Sequence, residues 1–97
     1  MTWRLTKAAN ADLVRILRES KKLFGAVRAA AYGREFRAAF DFLAEHPRAA
    51  RERRDLSPPV RLHPVRSHVI VYVVDESDDV AVVRIRHARE DWIVNPV

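Results

Sequence analysis

The sequence has no cysteine. A disulfide scaffold, a thiolate nucleophile and a thiolate metal site are therefore excluded. Glycine is almost as scarce: Gly25 and Gly33 are the only two in 97 residues, which leaves little chain for long flexible loops. No apolar run approaches the roughly 20 residues needed to span a bilayer. The opening "MTWRLTKAANADL" has no continuous apolar stretch of the kind a cleaved signal requires, so no membrane association is expected and a cytoplasmic protein is. Lysine does not occur after Lys22, so every later permanent cation is an arginine. The four histidines include no close pair at ligand spacing, and the acidic run Asp75–Asp79 lacks the glycine and the distant glutamate of a calcium loop. Neither a metal nor a cofactor is expected.

What is present suits one packed domain over residues 1–97. The apolar fraction is 48%, ample for a core at this chain length. The net charge is +5, which draws the chain toward nucleic acid, toward machinery that handles it, or toward an acidic protein partner.

Periodicity divides the chain. Trp3–Leu5 alternates as a short strand. Thr6 then offers a hydroxyl oxygen where a helix N-cap belongs. Ala9, Leu13, Ile16, Leu17, Ser20 and Phe24 form a stripe at helical spacing, and Gly25 stands where a left-handed stop is expected. A second helix from Ala26 carries Tyr32, Phe36, Ala39, Phe40 and Leu43 on one face and ends before Pro47. With so short a turn the two helices must form an antiparallel hairpin. "RAARERR" is a basic connector, and "DLSPP" breaks any helix. Val60–Val65, His68–Val74 and Val80–His87 read as strands. The near-continuous apolar run of His68–Val74 marks a strand that is central or covered on both faces. In the last strand, strict alternation sets Val83, Ile85 and His87 on one face and Val82, Arg84 and Arg86 on the other. Trp92–Val94 is either a further short strand or a packed tail. The order β-α-α-β-β-β predicts an α+β fold: a helical hairpin on one face of a small antiparallel sheet, the other face left to solvent or a partner.

Five segments in this order resemble the RelE/ParE superfamily of toxins from bacterial type II toxin–antitoxin systems. They are "WRLTKAANADL", "LFGAVRAAAYGREF", "AAFDFLAEHPRAARERRDL", "RLHPVRSHVIVYVVD" and "VAVVRIRHARED". The pairing of "SHVIVYVV" with "VVRIRHARED" is more similar to the ParE branch. The ParE resemblance implies a toxin that binds and inhibits DNA gyrase without bond chemistry. The RelE resemblance implies a ribosome-dependent mRNA endonuclease. Either implies neutralisation by a cognate antitoxin, ParD-like or related, in a toxin–antitoxin hetero-oligomer. An inactive homologue that retains only antitoxin binding is a third possibility.

RNA cleavage needs a base, an acid and fixed cations at the scissile phosphate. If the chain is a nuclease, His87 and His68 supply proton transfer, and Arg84 and Arg66 the charge. The departures from the RelE pattern are the missing lysines after Lys22 and a tail, "DWIVNPV", without Tyr or His. As a binding protein, the chain offers Arg61, Arg66, Arg84, Arg86 and Arg89 to a target or to nucleic acid. On a meander these guanidiniums would gather on the sheet face opposite the helices, suited to carboxylate or phosphate. Leu13, Ile16 and Leu17, with Arg84 and Arg86, are the candidates for antitoxin contact.

Overall fold

In the computed structural model, residues 2–89 are described. Strand β1 (Trp3–Leu5) leads into α1 (Lys7–Phe24) and α2 (Ala26–Glu45), followed by β2 (Arg61–Val65), β3 (His68–Val74) and β4 (Val80–His87). The strand order is β1-β4-β3-β2. β2–β3–β4 is the expected antiparallel meander, but β1 lies parallel to β4, with Leu5 opposite Val82. The sheet is therefore mixed rather than wholly antiparallel. The helical hairpin returns the chain to the sheet, and β4 is the strand left with an open side for the three residues of β1. The reading of Trp92–Val94 lies outside the described residues.

Local chemistry sets the helix ends. The Thr6 hydroxyl accepts from the Ala9 N–H at 3.1 Å and donates to the Val83 carbonyl at 2.9 Å, so one side chain caps α1 and fastens it to β4. Gly25 closes α1 and opens α2: its N–H donates to the Lys21 carbonyl, and its carbonyl accepts from the Ala29 N–H. Its φ of 88° is positive, as expected of a glycine stop, but its ψ of 170° is extended rather than left-handed helical. A single residue that ends one helix and starts the next needs that conformation, which is essentially confined to glycine. Near the end of α2, His46 is the C-cap, its N–H donating to the Phe42 carbonyl.

The main core lies between hairpin and sheet. Ala9, Ile16, Phe36, Phe40 and Leu43 meet Ile70, Tyr72, Val80, Val82 and Ile85 there. Val82 and Ile85 thus share a face, contrary to strict alternation along β4. The ladder skips Val83 between the Tyr72–Val82 and Val71–Arg84 pairs, and this bulge flips the phase of the strand. Val83 turns to the far face, where Leu56 and Val60 of the connector pack on Val71. That face is therefore partly covered by the chain itself. β3 is both central and covered on each side, which explains its continuous apolar run. The buried Tyr72 hydroxyl donates to the Pro47 carbonyl at 3.0 Å and holds the connector against the sheet.

Candidate functional site: a cleft at the hairpin tip

A cleft of about 660 Å³ opens where the Gly25 end of the hairpin overhangs the sheet. Its walls include Phe24, Arg28 and Tyr32 from the helices, Arg66 from the β2–β3 turn, and His68 and His87 from the strands. The register sets His68 directly opposite His87, and their rings meet edge-on with centroids 5.2 Å apart. The register shift in the β3–β4 ladder produces that juxtaposition, since an unbroken ladder would set His68 against Arg86. Tyr32, read from the sequence as a core residue of α2, is lowered by the helix onto the pair. The Tyr32 hydroxyl lies 2.6 Å from His68 Nδ1 and donates to the Val65 carbonyl at 3.1 Å. Burial, the largest influence, raises the Tyr32 pKa above its ordinary value, so the phenol stays protonated near neutrality. The Nδ1 of His87 accepts from the Arg89 N–H at 3.1 Å.

The arginines do not form the single patch anticipated on the far face. Arg66, in the two-residue turn between Val65 and His68, reaches back to Glu35 on α2, with Nε 2.7 Å from one carboxylate oxygen. Its φ of 53° is left-handed. Arg61, at the opposite end of β2, donates to the Ala50 carbonyl. Arg84 curls around the sheet edge to Asp12 on α1, with Nε and Nη2 2.7 Å and 3.0 Å from its two oxygens. Arg86 stands opposite Val69 in the ladder, and Arg89 is exposed just past β4. The planned clustering fails because three of the five guanidiniums bend to acceptors on other elements.

Asp12 is the residue that explains the β4 edge. Because β1 stops at Leu5, the Ile85 N–H beyond it lacks a strand partner, and Asp12 accepts from it at 3.0 Å. The carboxyl is only 2% exposed. Burial is the largest influence on it and pushes its pKa up. The hydrogen bonds from Arg84 and Ile85, with the charges of Arg84 and Arg15, outweigh burial and leave it lowered. A signal existed: Asp12 lies three residues after Ala9 and four before Ile16, on the buried stripe itself. An acidic residue there requires a partner across the interface.

The expected antitoxin contacts are largely occupied within the fold. Ile16 is 4% exposed, Leu13 packs on the core, and Leu17 lies beside Gly33 at the helix crossing. Exposed apolar surface lies instead at the hairpin tip. Phe24, read as the end of the buried stripe, is 59% exposed, and Leu23 and Val27 are 74% and 83% exposed. The stripe reaches past the edge of the sheet, so its last turn has nothing beneath it. Phe42 is also exposed, on the side of α2 where its ring stacks near His63 and His46.

The profile of the ParE toxin of the type II toxin–antitoxin system parDE matches residues 3–92. The chain belongs to the ParE toxin family. This member is 34% identical over 85 residues to Toxin ParE1 of Caulobacter vibrioides, covering 88% of this chain and 86% of that one. Its fold is similar to a chain from the chromosomal ParDE system of P. aeruginosa, with a TM-score of 0.76 at 20% identity, over 90% of this chain and 95% of the other. As a ParE-family chain, it keeps two helices on a four-stranded sheet. Among the described residues, no group of three or more His, Asp or Glu side chains is placed to hold a metal ion, and no helix is long and apolar enough to cross a membrane.

Proposed function

We propose that this ParE-family toxin acts in the cytoplasm by binding and inhibiting DNA gyrase, and that a cognate ParD-like antitoxin neutralises it in a hetero-oligomer. Family membership carries the toxin reading. The observation that favours binding over bond chemistry is the engagement of Arg84. Of the two cations expected at the phosphate, Arg84 is held by Asp12 at the sheet edge and Arg66 by Glu35. A phosphoryl site needs cations directed at the scissile group.

One observation favours the alternative, a ribosome-dependent mRNA endonuclease. Tyr32, His68 and His87 are gathered in one cleft with Arg66 at its lip. Proton donors and a guanidinium at one site are the groups such a reaction uses. Toxicity of the double variant His68→Ala/His87→Ala separates the two. The gyrase reading expects growth inhibition within a fewfold of wild type and intact cellular mRNA. Loss of toxicity in a folded double variant, together with mRNA cleavage by wild type, would establish the nuclease.

A further inference from the structure

We propose that Arg66 is the recognition arginine of this toxin: it binds a carboxylate on the surface of the protein target, and Glu35 is the residue that positions it. The proposal rests on the gyrase-binding reading above and names the side chain that makes the contact.

The first observation is the backbone. β2 and β3 are joined by two residues, Arg66 and Ser67, between the paired Val65 and His68. Of the two, Arg66 has the positive φ, 53°. The first central position of such a two-residue hairpin belongs by default to glycine, because a side chain there crowds the backbone. Asp78, also at positive φ (63°), needs no special account, since aspartate is several-fold enriched in that conformation. Arginine is not, and a backbone held off its minimum at a tight turn points to function.

The second is that fold stability does not account for the arginine. Its ion pair runs from Nε to both Glu35 oxygens, at 3.0 Å and 2.7 Å, and the two side chains are 70% and 40% exposed. An exposed pair of this kind contributes little. Glycine would relieve the turn and forgo only that small contribution.

The third is what the pair leaves over. Glu35 takes Nε alone, and neither Nη hydrogen-bonds to another of the described residues. The carboxylate thus fixes the guanidinium against α2 and leaves its Nη edge for a second carboxylate, which that planar fork fits bidentately. Arg66 stands at the lip of the cleft with Phe24 and Tyr32, and an aromatic wall beside an ion pair suits a protein partner that packs around it and excludes water. Glu19 lines the same cleft. A run of phosphates would meet Glu19 as well as Arg66, whereas one carboxylate need meet only Arg66.

The test is calorimetric titration of purified gyrase subunits, without DNA, with full-length wild-type toxin, Arg66→Gly, Arg66→Asn, Arg66→Lys and Glu35→Gln. Supercoiling inhibition and urea unfolding are measured on the same proteins. Arg66→Gly should unfold at higher urea than wild type, yet bind gyrase about 30-fold more weakly or worse, with inhibition falling in step. Arg66→Asn, which keeps the turn stiffer, should bind as weakly, so that loosening of the turn is not the cause. Arg66→Lys retains the charge without the fork and should recover only part of the binding. Glu35→Gln should weaken binding about threefold to tenfold, and add nothing further in the Arg66→Gly background, as a residue acting through Arg66 must. Arg66→Gly that binds and inhibits like wild type would overturn the proposal and leave the gyrase reading standing. So would a loss of binding that only follows a loss of folded protein. Wild-type toxin that neither binds nor inhibits gyrase would remove both. Binding that needs Arg66 only when DNA is present with gyrase would assign the arginine to a phosphate and overturn the proposal.

Discussion

Gly25 and Gly33, the two glycines, are present for different reasons, and substitution should separate them. Nothing lies within 4 Å of a Cβ built at Gly25, so sterics with neighbours do not require glycine there. Backbone conformation does, and Gly25→Ala should cost about 1–3 kcal/mol in urea unfolding. At Gly33 a Cβ would meet Leu17 Cδ1 at 3.5 Å, an ordinary contact, in a helix interior. Gly33→Ala should therefore leave stability unchanged or raise it by up to about 1 kcal/mol. Asp12→Ala should cost about 2–3 kcal/mol, since it strands the Ile85 N–H and a guanidinium that is only 26% exposed. One buried and one half-buried group with lowered pKa values shape the pH dependence of stability, besides the exposed carboxylates paired with arginine. Asp12 binds its proton less readily folded than unfolded. Its contribution is present above the unfolded carboxylate value of about 3.9 and is lost as pH falls through the lower folded value. Burial also lowers the pKa of His63. Below about pH 6.5 the unfolded chain takes up that proton first, so stability falls as pH drops through this window. Unfolding of wild type should show both acid losses. Asp12→Asn should show a smaller low-pH loss, the exposed arginine-paired carboxylates keeping the remainder, and His63→Phe should lack the upper one.

At the scale of elements, the signals legible in the sequence were those carried by single residues at chain breaks. Thr6, Gly25 and Pro47 placed the helix ends because capping and proline sterics are local. That β3 and β4 pair as a meander was legible, but the opposition of His68 and His87 also needs the register shift after Tyr72–Val82, without which His68 would face Arg86. The bulge at Val83 was not legible, because it answers to groups far along the chain: the Thr6 hydroxyl on the Val83 carbonyl and the Asp12 carboxylate on the Ile85 N–H. Nor was the parallel β1, whose partner lies 77 residues onward. The site was half legible for the same reason. The histidines and Arg66 come from neighbouring strands, whereas Tyr32, Phe24 and Arg28 reach the cleft only through docking of the hairpin on the sheet. Thr6→Ala removes the cap of α1 and its tie to β4 together. The expected loss is about 1–2 kcal/mol, measured by urea unfolding, with faster hydrogen exchange at Ala9.

Across the whole molecule, the excess of positive charge is distributed unevenly. Asp12, Glu35, Asp55, Asp75 and Asp78 each hold an arginine. The exposed pairs add little stability. Lys21, Lys22 and Arg28 share one end of the molecule with the most exposed apolar side chains among the described residues, Leu23 and Val27. The central claim is that this ParE-family toxin inhibits gyrase by binding. The most direct measurement is a gyrase supercoiling and cleavage assay with purified, folded toxin free of antitoxin. The account predicts loss of supercoiling with accumulation of cleaved DNA, reversed when antitoxin is added, and unchanged by His68→Ala/His87→Ala. Full gyrase activity at toxin concentrations that arrest growth would contradict it and move the target to the ribosome.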